Sequence, residues 1–279
     1  MGAETREQGA KIIDFAQSDP LFARLRVEAE EVLRREPELG GFLHPAILSQ
    51  SGVAGVVAHR VAQRLDRPEA PYIAIRQAFE ECVAREPGMV EAFRADILAV
   101  LERDPACTRL IEPALYFKGF HALQTYRLAH WLWKNGRSDF ALILQSLSSQ
   151  TFQVDIHPAA VIGKSVFIDH ATGVVIGATS VVEDEVSMLH GVTLGGTGKA
   201  RGDRHPKVRR GVLIGAGAKI LGNIEIGRCA MIAAGSVVLD PVPANKTVAG
   251  VPARIVGDAR CAEPALAMDQ MLAYLDAGM

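Results

Sequence analysis

Between Ile156 and Val238 an aliphatic residue returns at every sixth position, a period that fits neither an α-helix nor an ordinary strand. One register runs Ile156, Ile162, Ile168, Val174. A second, displaced by two residues, runs Ile176, Val182, Met188, Leu194, and a third resumes at Ile214, Ile220, Ile226, Ile232, Val238. Such a repeat specifies a hexapeptide β-helix, in which each hexapeptide makes one short flat strand and one turn and three hexapeptides close a triangular coil. The repeat aliphatics point inward and stack coil on coil, in the one-dimensional manner of a solenoid. Gly163, Gly177, Gly215 and Gly227 each follow a repeat aliphatic, where the chain is expected to bend and a missing Cβ removes the penalty. Ala160, Val166, Thr172, Ala218, Ala230 and Ser236 keep the fifth position small or β-branched.

The segment before the repeat differs in kind. Up to Gln153 apolar residues recur at three- and four-residue spacing, as in Tyr72, Ile75, Ala78, Phe79, Val83 and again in Leu115 to Leu132. The expected organisation is therefore α+β: an all-α helical domain over 1–153, a parallel β-helix over 154–258 with one protruding loop, and a tail over 259–279. Asp104-Pro105 reads as an N-cap with a first-turn proline, Gly136 as a helix terminator, and Ser138 as the cap of the helix that leads into the prism.

The chain of 279 residues carries 30 Lys and Arg against 32 Asp and Glu, a formal charge of -2, which argues against nucleic acid as a partner. The N-terminus lacks the apolar core of a signal peptide and no stretch approaches a membrane span, so a cytoplasmic protein without a membrane partner is expected. Cys82, Cys107, Cys229 and Cys261 have neither metal-ligand nor redox spacing and are expected to be reduced thiols.

After Leu194 the rhythm breaks for more than a dozen residues, GGTGKARGDRHPKVRRG, until Val212-Leu213-Ile214. An insertion with both flanks in register bulges from a prism edge as a loop, and loops of this kind carry function. Lys199, Arg201, Arg204, Lys207, Arg209 and Arg210 suit it to phosphate or carboxylate. A P-loop is excluded because Thr193 and Ala200 stand where Gly and Ser or Thr are required. A dinucleotide fingerprint is excluded because Ile220 replaces its third glycine.

Of the eight histidines, His157, His170 and His205 sit in polar contexts. His170 follows Asp169, just before the register shift, with Asp155 about one coil earlier. A neutral imidazole oriented by a carboxylate is suited to taking a proton from an alcohol near neutral pH. Ser165, Ser180 and Cys229 offer no convincing covalent nucleophile.

The runs FQVDIHPAAVIG, IDHATGVVIGAT, LHGVTLGGTGKARGDRHPKVRRG and AAGSVVLDPVPANKTVAGVPARIVG, with YFKGFHALQTYRLAHWLW and RDPA upstream, resemble serine acetyltransferase. The resemblance implies a left-handed prism that moves the acetyl group of acetyl-CoA to the hydroxyl of L-serine without a metal, in the first step of cysteine biosynthesis, with L-cysteine as feedback inhibitor. By matching motif, His170 is the general base and Asp155 the carboxylate that fixes its tautomer. Asp104 and Asp169 hold the substrate ammonium, Arg204 and His205 its carboxylate, and Gly196, Thr197, Ala216 and Ala234 line the pantetheine path. The resemblance further implies a homotrimer or a dimer of trimers in which Arg204 completes a neighbour's site. It also implies docking of the C-terminal tail into O-acetylserine sulfhydrylase, although the tail ends in Met279 where relatives end in Ile, and a short amphipathic helix over 265–275 would serve equally. The hexapeptide period alone leaves room for two other enzymes. One is an acetyltransferase for a sugar or antibiotic hydroxyl, which would leave Asp104 and the long helical domain unexplained. The other is a metal-binding prism enzyme using His170, His190 and His205.

Overall fold

The computed structural model describes residues 19–198 and 201–271; Lys199 and the tail from 272 to Met279 lie outside the described residues. The helical part comprises α1 (Pro20–Arg35), α2 (Gly40–Leu43), α3 (Val53–Leu65), α4 (Tyr72–Arg85), α5 (Gly88–Arg103), α6 (Ile111–Leu115), α7 (Lys118–Lys134) and α8 (Ser138–Phe152). Helix α7 is its axis. It is buried on nearly all sides from Gly119 to Leu132, packs against α3, α4, α5, α6 and α8, and touches the first coil of the prism.

Two placements differ from the sequence reading. Asp104 does not open a helix but closes α5, its carboxylate accepting from the Ala106 amide at 2.9 Å. An aspartate before a proline favours a side-chain turn as readily as an N-cap, and here the turn wins. Ser138 is the first helical residue of α8 rather than its cap, and Arg137 takes the cap position. Gly136 does terminate α7, with φ at +76°.

The strands are β1 (Val154–Ile156), β2 (Val161–Ile162), β3 (Phe167–Ile168), β4 (Val174–Ile176), β5 (Val181–Val182), β6 (Ser187–Met188), β7 (Thr193–Gly195), β8 (Lys207–Val208), β9 (Leu213–Ile214), β10 (Lys219–Leu221), β11 (Glu225–Ile226), β12 (Met231–Ile232), β13 (Val237–Val238), β14 (Lys246–Gly250) and β15 (Ala253–Asp258). They form three parallel sheets ordered β1-β4-β7-β10-β13, β2-β5-β8-β11 and β3-β6-β9-β12-β14, with β15 antiparallel at the end of the third. The fold is the left-handed hexapeptide β-helix. Its core is three aliphatic columns: Ile156, Ile176, Leu194, Ile220, Val238; Ile162, Val182, Val208, Ile226; and Ile168, Met188, Ile214, Ile232, Val248, all buried.

The columns define where the repeat is broken. Ile168 and Ile176 are consecutive column residues with two extra positions between them, which accommodates the corner at His170, and Val174, also buried, stands two residues before its column position. The second break is shorter than the sequence suggests, because the rhythm resumes at Val208 rather than at Val212. A two-residue strand needs one inward residue only, and Val208 supplies it between Lys207 and Arg209, whose charges hide the strand from a hydropathy reading.

The repeat glycines serve a different purpose from the expected one. Gly163, Gly177, Gly215 and Gly227 all lie outside the left-handed region. Their constraint is the next coil: a Cβ on Gly215 would stand 2.5 Å from the Ala234 nitrogen, and one on Gly227 would stand 2.4 Å from the Ala244 nitrogen. The left-handed glycines are others, and four of them, Gly173, Gly191, Gly217 and Gly235, stack in one corner column.

Helices and prism are joined by buried polar contacts. Asp96, fully buried, accepts two hydrogen bonds from Arg127 at 2.7 and 2.9 Å, one from Gln124 at 3.0 Å and one from the Val166 amide at 3.3 Å. Arg127 also donates to the Gly163 carbonyl at 2.7 Å. The Tyr126 hydroxyl donates to the Ala160 carbonyl at 2.6 Å and accepts from the Ile162 amide at 3.1 Å. These bonds fix the orientation of α5 and α7 on the first coil, and with it the position of Asp104 and the start of α7.

Candidate active site

The end of α5, the start of α7 and strand β3 enclose a cavity of about 820 Å³, together with the short C-terminal helix α9 (Pro264–Ala267). Asp104, Lys118, Asp169 and His170 all line it. His170 stands at the corner between β3 and β4 with φ at +52°, and its side chain is 78% exposed. Its Nε2 lies 3.8 Å from Asp169 Oδ1, and its ring meets the edge of His190 from the next coil at 6.1 Å. Burial raises the Asp169 pKa, and the nearby Asp104 carboxylate adds to this against the opposing pull of His170. Two carboxylates that disfavour each other's charge make a seat for a cation.

The other sequence-selected residues gather elsewhere. His205 is buried at the corner between the first and second sheets, lying so close over Gly177 that a Cβ there would be 2.1 Å from its Cδ2. Thr179 donates to His205 Nδ1 from its hydroxyl at 2.7 Å and from its amide at 3.2 Å, which leaves Nε2 free to donate. Burial lowers the His205 pKa, as do the charges of Arg204 and Lys207, so the ring is held neutral. Arg204 is anchored by its backbone amide on Thr179 Oγ1 at 3.0 Å, and its side chain lies against Gly196. His157 is in the same region, with its ring edge on Trp133 and its Nδ1 accepting from the Ala159 amide at 3.0 Å.

Asp155, on β1, accepts from Gln145 of α8 at 2.7 Å, whereas the carboxylate beside His170 within the chain is that of Asp169. The residues matched to the pantetheine path divide in the same way. Ala216 and Ala234 continue the corner column below His190, where the Gly217 amide donates to His190 and the Gly235 amide to Ala216. Gly196 and Thr197 begin the loop that carries Arg204. The sequence-selected residues of one chain thus divide between opposite edges of the β1 sheet.

Burial pushes the Cys82 and Cys107 thiols up to about 12, and all four cysteines are free. Among the described residues no group of three His, Cys, Asp or Glu is placed to hold a metal ion, and His205 lies at a different corner from His170 and His190.

Residues 21–125 match the serine acetyltransferase N-terminal family and residues 205–240 the bacterial transferase hexapeptide family. The curated serine acetyltransferase of Escherichia coli strain K12 is 54% identical over 88% of this chain and 90% of its own length. This chain belongs to the serine acetyltransferase family. A crystal structure of serine acetyltransferase from Brucella abortus strain S19 in complex with coenzyme A superposes with a TM-score of 0.86 at 59% identity, covering 88% of this chain and 98% of that one. A serine acetyltransferase in complex with cysteine superposes with a TM-score of 0.88 at 51% identity, covering 90% and 98%. As a serine acetyltransferase, the chain is an acyltransferase whose co-substrate is acetyl-CoA.

Several residues around the serine acetyltransferase cavity carried no role in the sequence reading. Arg103, buried, donates to Ser187 at 3.1 Å and to Ser165 at 2.8 Å, and Ser187 donates to the Ala265 carbonyl at 2.7 Å, tying α5 and α9 to the prism. Lys118 and Gly119, at the head of α7, lie against the His170 corner. The only signal for them was that KGF interrupts an otherwise apolar helical pattern.

Proposed function

We propose that His170 accepts the hydroxyl proton of L-serine as the oxygen attacks the thioester carbonyl of acetyl-CoA, and returns it to the departing thiolate, so that O-acetyl-L-serine and coenzyme A leave. The observation that carries this reading is the convergence of His170, Asp169 and Asp104 on one cavity. The two carboxylates take the substrate ammonium, which offsets the cost of their mutual repulsion. Arg204 and the neutral, Nε2-donating His205 take its carboxylate, and Asp155 orients the base. Gly196, Thr197, Ala216 and Ala234 line the pantetheine path.

Because these groups divide between two corners of one chain, the reading includes a homotrimer in which the Arg204 corner of one protomer meets the His170 corner of the next. The helical domain over 1–153 joins two such trimers, the β-helix over 154–258 carries the chemistry, and the tail over 259–279 reaches O-acetylserine sulfhydrylase. A cytoplasmic location accords with the described helices, none of which is long and apolar enough to cross a membrane. L-cysteine, carrying the same ammonium and carboxylate as serine, binds the same four residues as a feedback inhibitor; a relative's complex with cysteine supports this.

Coenzyme A thiol release from acetyl-CoA, with L-serine compared against sugars and aminoglycosides, tests the acceptor. Arg204→Ala is expected to raise KM for serine by roughly 10- to 100-fold, the equivalent of a charge-assisted hydrogen bond of about 1.5–3 kcal/mol. KM for acetyl-CoA should stay near its wild-type value, and inhibition by cysteine should weaken in parallel. A serine KM that does not move would remove Arg204 from the site.

A further inference from the structure

His170 and Ala171 are consecutive left-handed residues, at φ +52° and +57°, and neither is glycine. Each such placement is strained and persists only where the surroundings over-determine it. Inside the corner, Ala171 is fully buried and the Thr172 amide donates to the His170 carbonyl at 2.7 Å. From outside, α7 begins directly against it. A Cβ on Gly119 would stand 2.1 Å from the Ile168 carbonyl oxygen and 3.2 Å from Ala171 Cβ, so the helix backbone itself is the abutment. Lys118, one residue earlier and half-buried, donates from Nζ to Thr172 Oγ1, and that hydroxyl donates to the His170 carbonyl at 3.4 Å.

The imidazole of His170 has little else to aim it. Its side chain is mostly exposed, and its side-chain neighbours are Asp169 at 3.8 Å and the edge of His190. Its direction is therefore set by its backbone, and the backbone is held through its carbonyl. We infer that Lys118 is a positioning residue for His170: acting through Thr172, its ammonium pins the His170 carbonyl and so aims the imidazole into the cavity. A charged donor suits this task, because a hydrogen bond from an ammonium is shorter and stronger than a neutral one and resists competition from water at an open corner. The inference rests on the reading of His170 as the general base.

The test is a double-variant cycle of Lys118→Met and Thr172→Val, with Lys118→Arg as the conservative control and His170→Ala as the reference. Each single variant is expected to lower kcat by roughly 10- to 100-fold, the loss that follows a base misplaced by about an ångström. KM for both substrates and the melting temperature should stay near wild type, a split that a merely structural residue would not give. The double variant should be no worse than the weaker single one, since both break the same chain of hydrogen bonds, and Lys118→Arg should recover most of kcat. Full kcat in Lys118→Met overturns the inference. So do losses that add in the double variant, or a Thr172→Val as active as wild type beside a crippled Lys118→Met, which would place the ammonium on the substrate itself. If His170→Ala stays active, the underlying base assignment fails instead, whatever the Lys118 result.

Discussion

His170→Ala is expected to lower kcat by roughly 10²- to 10⁴-fold, the usual contribution of a positioned general base. Serine's hydroxyl is a weak nucleophile until a base within hydrogen-bond reach takes its proton in the transition state, and His170 is the imidazole at the Asp104 and Asp169 cavity. Coenzyme A binding should survive, because Ala216 and Ala234 lie further along the corner column. Calorimetric titration with coenzyme A beside a thiol-release assay separates the two effects. Turnover close to wild type would exclude His170 as the base. Residual activity above the uncatalysed rate is expected, because holding two substrates in register contributes without any proton transfer.

The largest effect on stability is expected at Asp96. Asp96→Ala should cost about 3–5 kcal/mol, because it leaves Arg127 buried and charged without its partner and strips the Val166 amide and Gln124 of an acceptor. That loss measures a stranded guanidinium rather than the worth of the pair, so replacing both residues by apolar ones of similar volume should cost much less. Denaturant unfolding of the single and double variants makes the comparison. An Asp96→Ala protein within about 1 kcal/mol of wild type would mean that water or another group reaches Arg127, and that the contact does not clamp helices to prism.

How far the sequence was legible depended on whether a feature repeats. The inward columns were readable because every coil presents the same demand, and even the two-residue step after Ile168 showed as a shift of register. Val208 was missed because one aliphatic among Lys207, Arg209 and Arg210 makes no pattern. The glycines were found for a reason the fold replaces: Gly215 and Gly227 are required by the backbone of the coil beneath, a contact invisible along the chain. Asp104 was picked out by its motif, yet its place at the end of α5 turned on a competition between two local hydrogen-bonding habits that spacing does not decide. That Arg204 would serve a neighbour's site came only from the resemblance, since the spacing along the chain does not say which corner of a triangle each residue reaches. Lys118 was quoted within a motif without a role, because its meaning lies in Thr172, 54 residues away.

The loop between β7 and β8 enters and leaves at a single corner while the aliphatic columns on either side stay in step. Its length and composition are therefore decoupled from the interior: residues can be added, lost or exchanged there without any core side chain having to find a new neighbour. A lineage built on this scaffold can vary that loop while the aliphatic columns stand still, and the evolutionary cost of change there falls on a dozen or so loop residues rather than on the fold.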